Sequence, residues 1–150
     1  MKYLLLDVIG VINKQENTPN GPMDIWWFCD QLNPEKIRRV YEIVKATDAK
    51  IIITSQWRTN HNALDGIQKA FAIHCGIRGR EVRALFADYL PAGDVHQEIK
   101  YWLANEDYEN YLIINDEHHG QDNEINTQFH IGITNEHVDQ AIAILGKTND

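Results

Sequence analysis

Three short apolar runs in this 150-residue chain end in groups able to do chemistry. "YLLLDVIGVIN" carries a lone carboxylate, Asp7, at the tip of an apolar run, followed by Gly10. "IIITSQWR" ends in the hydroxyls of Thr54 and Ser55, and "YLIINDEHHG" in Asn115, Asp116 and Glu117. Apolar runs without alternation are the pattern of strands covered on both faces of a sheet. In an open parallel α/β sheet, ligands bind outside the carboxyl ends of the strands, near the switch in strand order. The three ends then share one neighbourhood, with a catalytic aspartate, a hydroxyl and an acidic cluster together. One strand-end Asp alone serves equally well as a cap or turn residue; three such ends in one chain point to a site.

The rest of the chain reads as the scaffold for those ends. The first strand spans Lys2 to Ile9, and "NKQENTPNGPMD" is a loop rich in Asn, Pro and Gly. "NPEKIRRVYEIVKATD" is a helix: Asn33 caps it, Pro34 suits its first turn, and Ile37, Val40, Tyr41 and Val44 share a face. "AKIIITS" is the second strand, and a helix runs from about Asn60 to Phe71. Ala72 to Pro91 is illegible, a short strand or only loop. "GDVHQEIKYWLAN" is helical, with Asp94 as cap, Gln97 placed for a capping box, and Val95, Ile99 and Trp102 or Leu103 facing the core. "NYLIIND" is the third strand and "TQFHIGIT" a short fourth, and "NEHVDQAIAILG" is a closing helix stopped at Gly146. Strands alternating with helices imply a parallel sheet between two helical layers.

Composition narrows the function classes. Apolar residues are 43% and charged residues 24%, ordinary for a globular domain with a real core. The net charge of -8, from 14 basic and 22 acidic side chains, argues against broad nucleic-acid binding, which needs phosphate-neutralising cations. A local anion site, or an anionic substrate held through a metal, is compatible with it. Cys29 and Cys75 lack metal-ligand spacing; one disulfide is open to them, but free buried thiols of a reducing compartment are the favoured reading. Met1 leads straight into the first strand, leaving no room for a cleavable signal, and no apolar run approaches the roughly 20 residues that cross a bilayer. The expectation is a single domain, 1–150, in the cytoplasm, with no membrane contact.

Taken in order, the three blocks resemble the haloacid dehalogenase (HAD) superfamily, and most closely the small phosphatase-like HAD domains also found in nucleic-acid-repair fusions. "LLLDVIGVIN" is similar to a first motif of the form hhhDhDGVhN, where h is apolar, and "IIITSQWR" to a second-motif strand ending in Thr or Ser. "HQEIKYWL" resembles the third-motif helix, "YLIINDEHHG" the fourth motif, and "HIGITNEHVDQAIAIL" the closing strand and helix. The resemblance covers nearly the whole chain. It implies an α/β, three-layer Rossmann-like fold, mostly parallel, with little or no cap. It also implies roles: Asp7 as the nucleophile that forms an aspartyl-phosphate, and Thr54 or Ser55 as the phosphoryl hydrogen-bond donor, the register open by one. Mg²⁺ would be held by Asp7, Asp116 and the backbone carbonyl of Ile9, with Asn115 or Glu117 helping directly or through water.

Three departures from the family pattern bear on activity. Ile9 stands where the second aspartate would protonate the leaving group and activate water, a role worth roughly 10²–10⁴-fold. The basic residue expected at the start of the third-motif helix is missing; Val95 and His96 occupy the place, and Lys100, Arg78, Arg80 or Arg83 are displaced replacements. The fourth motif's first acid is Asn115, one charge fewer for a metal. The resemblance therefore implies either a divergent hydrolase with weak or altered phosphomonoesterase activity, or an inactive HAD-like domain that binds a phosphorylated ligand or a protein partner. A phosphorylated small molecule or a nucleic-acid end is the partner implied.

Other groups carry two readings each. Trp57 and Arg58 follow the hydroxyl strand, and Arg58 either binds an anion at the site rim or pairs with a local acid. His96 is an exposed helix residue or a substrate contact. Trp26, Trp27 and Phe28 fill core or stack on a ring near the site mouth. His118 and His119 have transition-metal chemistry, but adjacent histidines diverge, and a solvated loop is the plainer account. Arg78, Arg80 and Arg83 form a solvated basic turn or a phosphate-attracting patch.

Overall fold

The computed structural model describes residues 1–15, 21–91 and 93–146; part of the loop read in "NKQENTPNGPMD" therefore lies outside the described residues. Among the described residues, strands β1 (Lys2–Leu6), β2 (Lys50–Ile53), β3 (Phe86–Tyr89), β4 (Asn110–Asn115) and β5 (Glu124–Asn126) form one parallel sheet in the order β3-β2-β1-β4-β5. The helices are α1 (Ile25–Asp30), α2 (Pro34–Thr47), α3 (His61–Cys75), α4 (Gly79–Leu85), α5 (Val95–Asn105) and α6 (Asn135–Leu145), with a 3₁₀ turn at Gln56–Thr59.

Alternation along the strands sorts the core into two layers. Leu4, Leu6, Ile51, Ile53, Leu112 and Ile114 face α2, α3, α4 and α6 through Ile37, Val40, Val44, Ile67, Phe71, Val82 and Val138. Leu5, Ile52 and Ile113 face the other way, onto Ile99 of α5 with Leu90. Each fully buried Leu or Ile contributes roughly 1.5–3 kcal/mol. The layered α/β architecture, with both sheet faces covered, is the one the apolar runs imply. Among the described residues no helix is long and apolar enough to cross a membrane.

Helix ends follow local chemistry. Asn33 accepts from the Lys36 N–H at 3.1 Å, and Asn60 accepts from Asn62 and Ala63 at the start of α3. Asp94 accepts from Gln97 N–H at 3.1 Å. The reciprocal capping box stands at α6, where Thr134 and His137 exchange bonds of 3.3 and 3.0 Å.

Four boundaries differ from the sequence reading. The first strand stops at Leu6, because the chain turns over Val8–Ile12, with Val11 and Ile12 N–H both bonding Val8 O. The illegible segment holds α4 as well as β3, so Arg80 and Arg83 lie on a helix, with Arg78 as its cap residue, and not on a turn. "DIWWFCDQL" contains α1, which buries Phe28 and Cys29 but leaves Trp26 55% exposed under the Lys69 ammonium. The last strand is Glu124–Asn126, and "TQFHIGIT" is a tight turn closed by a Gln128–Gly132 bridge. Gly132, at φ +75, bends the alternation into that turn, and a Cβ there would lie 2.6 Å from Val11 O.

Candidate active site

The chain winds outward from β1 through β2 to β3, then returns to place β4 on the other side of β1. The switch in strand order therefore falls between the carboxyl ends of β1 and β4, where a crevice opens in such sheets. Asp7 and Asp116 are the first residues beyond those two ends. Asp7 N–H still bonds Ile114 O at 3.1 Å, so the ladder itself aims Asp7 at the crevice.

A cavity of about 430 Å³ occupies this place, lined by Asp7, Ile9, Ser55, Gln56, Trp57, Val95, Asn115, Asp116, Glu117 and Phe129. The fold thus brings together the ends of the three apolar runs. Thr54 N–H bonds Leu6 O at 2.9 Å and continues the ladder. Its hydroxyl is buried and, among the described residues, is the one buried side-chain polar atom without a partner. Ser55, one residue on, lines the cavity and accepts from Trp57 N–H at 3.2 Å.

Asp7 and Asp116 approach to hydrogen-bonding contact. Burial, first, and then the nearby Asp116 and Glu117 carboxylates push the Asp7 carboxyl up from 3.8 to about 7, against a lowering bond from the Val8 backbone. Two carboxylates meeting at a strand switch are a charge problem, solved by a shared proton or by a cation. Gly10 makes the approach possible: it sits at φ +86, and a Cβ there would lie 2.7 Å from Asp116 Cγ. Its N–H bonds Asn13 Oδ1 at 2.8 Å, and its carbonyl accepts from the buried Thr127 hydroxyl at 2.7 Å.

The donor set is hard oxygen, the chemistry that suits Mg²⁺ rather than a softer ion. Among the described residues no three His, Cys, Asp or Glu side chains group as a metal site. A cation here would rest on Asp7 and Asp116 with carbonyl and water, a set typical of Mg²⁺. Asn115 does not offer its oxygen freely. Its Oδ1 accepts from Glu117 N–H at 3.0 Å, so its amide nitrogen donates to His119 Nε2 at 2.9 Å. His119 therefore carries its proton on Nδ1, which meets His96 Nδ1 at 3.2 Å, with the rings stacked at 5.4 Å. Burial pushes His119 below the usual imidazole range and keeps it neutral.

Arg58 is not at the rim. It is 2% exposed, and its guanidinium bonds the carbonyls of Leu90, Pro91, Thr54, Ser55 and Gly93 at 2.9–3.0 Å. A planar fork of donors suits this task, and it staples the end of β2 to the loop that leads into α5. Asp7 lies close enough for its carboxylate to be felt at the Arg58 guanidinium. The rim-anion role is corrected to a buried structural one.

The remaining candidates separate. Trp57 lines the cavity and packs edge-on against Phe28 at 4.9 Å. Val95 lines it too, while His96, exposed, leans on His119 and is not among the lining residues. Trp26, Trp27, Lys100, Arg78, Arg80 and Arg83 do not line it. His118 is exposed beside Glu124 at 3.1 Å, whereas His119 is buried, so the solvated-loop reading holds for His118 alone. Gln56 and Phe129 are lining residues that the sequence reading missed; Phe129 was hidden in a segment taken for a strand, and Gly132 inside that segment was the available signal.

A family model described as "HAD domain in Swiss Army Knife RNA repair proteins" matches residues 3–138. Neither the curated proteins nor the solved structures gave a significant match. The family match, over nearly all of the chain, supports a HAD-type, phosphatase-like hydrolase function.

Proposed function

We infer that this chain, which belongs to that HAD family, is a divergent phosphatase-like hydrolase with Asp7 as nucleophile and Mg²⁺ as its metal. The observation that carries the reading is the contact of Asp7 with Asp116 at the strand switch, inside a cavity that also holds a serine hydroxyl. Mg²⁺, when bound, would supply the positive charge that lets two carboxylates and an anionic phosphoryl group share this space. Asp116 would hold it, with Asp7 and the Ile9 carbonyl, and Glu117 would act through water. The unprotonated Asp7 oxygen attacks phosphorus, the bond to the leaving oxygen breaks, and an aspartyl-phosphate forms. Ser55 donates to a phosphoryl oxygen from the cavity wall, and Thr54, with its unpartnered hydroxyl, backs it. Water then cleaves the P–O bond to Asp7 and releases phosphate.

Ile9 sets the rate. It lines the cavity, 38% exposed, and has no proton to give or take. Leaving groups that depart without protonation are therefore favoured, and hydrolysis of the aspartyl-phosphate is slow. The same residue favours a second reading, a non-catalytic domain that binds a phosphorylated ligand. The family description supports a nucleic-acid end as substrate over a free phosphorylated metabolite. With a chain charge of -8, recognition would centre on the terminal phosphate and not on the polymer backbone. A cytoplasmic setting accords with the unpaired Cys29 and Cys75, whose thiols burial pushes up, Cys75 to about 11.

The test is thermal denaturation with Mg²⁺ and beryllofluoride, which mimics a phosphoryl group on a carboxylate. The expected result is a melting temperature raised by several degrees in the wild type and unchanged in Asp7→Asn. No shift, or an equal shift in Asp7→Asn, sinks the assignment of Asp7.

A further inference from the structure

Phe129 is the large apolar side chain whose position the phosphoryl chemistry leaves unexplained. It is 47% exposed, yet it lines the cavity that holds Asp7, Asp116 and Trp57. Its exposure is not that of a loose loop. The turn that carries it is closed by Gln128 O, which accepts from Ile131 N–H at 2.9 Å and Gly132 N–H at 2.8 Å. Both ends of the turn are clamped to the nucleophile loop: Thr127 Oγ1 bonds Gly10 O at 2.7 Å, and Ile133 N–H bonds Val11 O at 2.9 Å. Gly132 presses so closely on Val11 O and the Lys36 ammonium that no Cβ fits. The backbone that carries the ring is thus held to the very loop that holds Asp7. Trp57, the other aromatic wall, is fixed by its edge contact with Phe28 and by the Ser55 cap.

We propose that Phe129, held by this clamped turn, is a ring-stacking residue that, with Trp57, selects phosphate esters whose leaving group bears a planar ring. The proposal rests on the Asp7 phosphoryl site and adds what lies beyond it. The apolar lining of the cavity is Ile9, Val95, Trp57 and Phe129, with no Lys or Arg among the lining residues. Such a lining offers a flat, uncharged ring a face to rest on and supplies no cation to the rest of the leaving group. Stacking on an aromatic side chain tolerates any planar ring, whether a nucleobase or an aryl group.

Binding of phosphonates, which cannot be hydrolysed, tests this without turnover. Phenylphosphonate and methylphosphonate would be titrated by calorimetry into the Mg²⁺-loaded wild type, Phe129→Ala and Phe129→Tyr, with the non-hydrolysable 5′-methylenephosphonate analogue of adenosine monophosphate as the nucleobase arm. Expected are about tenfold tighter binding of a ring-bearing ligand than of methylphosphonate, loss of that difference in Phe129→Ala, and its return in Phe129→Tyr. Whichever of phenylphosphonate and the nucleotide shows the Phe129-dependent gain identifies the ring as aryl or nucleobase. Equal affinities for all three ligands, or a ring preference untouched by Phe129→Ala, overturn the proposal while leaving the phosphoryl site standing. Failure of every ligand to bind the wild type overturns both.

Discussion

Gly10 and Asp116 share one space: a Cβ on residue 10 would lie 2.7 Å from the Asp116 carboxyl carbon and 2.8 Å from Oδ2. The glycine of the first apolar block is therefore what lets the acid of the third approach Asp7. Two blocks more than a hundred residues apart are fitted to each other through one absent methyl group.

Gly10→Ala should accordingly damage the site more than the fold. The new methyl meets Asp116, and φ +86 is a conformation alanine adopts only with strain. A stability loss of about 1–3 kcal/mol is expected, read from chemical denaturation. The stabilisation by Mg²⁺ with beryllofluoride should be lost as well. A variant as stable as wild type with an intact metal response would refute this fit.

Asp7 makes stability depend on pH in an unusual sense for a carboxylate. Its folded value, about 7, lies above the ordinary 3.8, so between those values the folded chain holds a proton that the unfolded chain has released. Stability contributed by Asp7 is then fully present below about pH 4 and is lost as pH rises through 7, by at most a few kcal/mol. In chelator, Asp7→Asn should flatten the fall in melting temperature between pH 5 and about 8. Mg²⁺ needs the unprotonated pair, so it should stabilise the wild type more at pH 8 than at about pH 5.5.

The sequence made the three polar strand ends legible because buried parallel strands are continuous apolar runs and their ends are marked by the first polar residue. Asp7, Thr54 or Ser55, and Asn115, Asp116 and Glu117 were read that way, and their convergence followed from topology. What stayed hidden depended on contacts distant in sequence. Arg58 read as a rim cation or the partner of a local acid because its five carbonyl partners are spread from Thr54 to Gly93. Phe129 and Ile131 looked like one face of a strand, since a two-residue alternation is also what a tight turn produces when both side chains point outward. His119 was hidden in a polar loop although Asn115 and His96 bury it.

Arg58→Lys should destabilise the domain despite keeping the charge. An ammonium cannot reach the carbonyls on both sides of the β2 end, and each one left buried and unpaired costs roughly 1–3 kcal/mol. We expect a melting temperature lower by several degrees and faster proteolysis between β3 and α5. An unchanged melting temperature would show that the staple carries no stability.

Ile9→Asp restores a proton donor beside Asp7. If the remaining groups are in working order, hydrolysis of p-nitrophenyl phosphate should rise by roughly 10²–10⁴-fold, and Asp7→Asn in the same background should abolish it. No gain, with the fold intact by circular dichroism, would favour the ligand-binding reading over the hydrolase.

The most direct measurement follows from the slow second step. The wild type is incubated with Mg²⁺ and acetyl phosphate, whose acetate leaves without a proton, and its peptides are mapped by mass spectrometry after an acid quench. The predicted result is a single phosphoryl group on Asp7, absent in Asp7→Asn and short-lived in Ile9→Asp. An unmodified Asp7, or a phosphoryl group that persists in Asp7→Asn, would contradict the assignment of Asp7 as nucleophile.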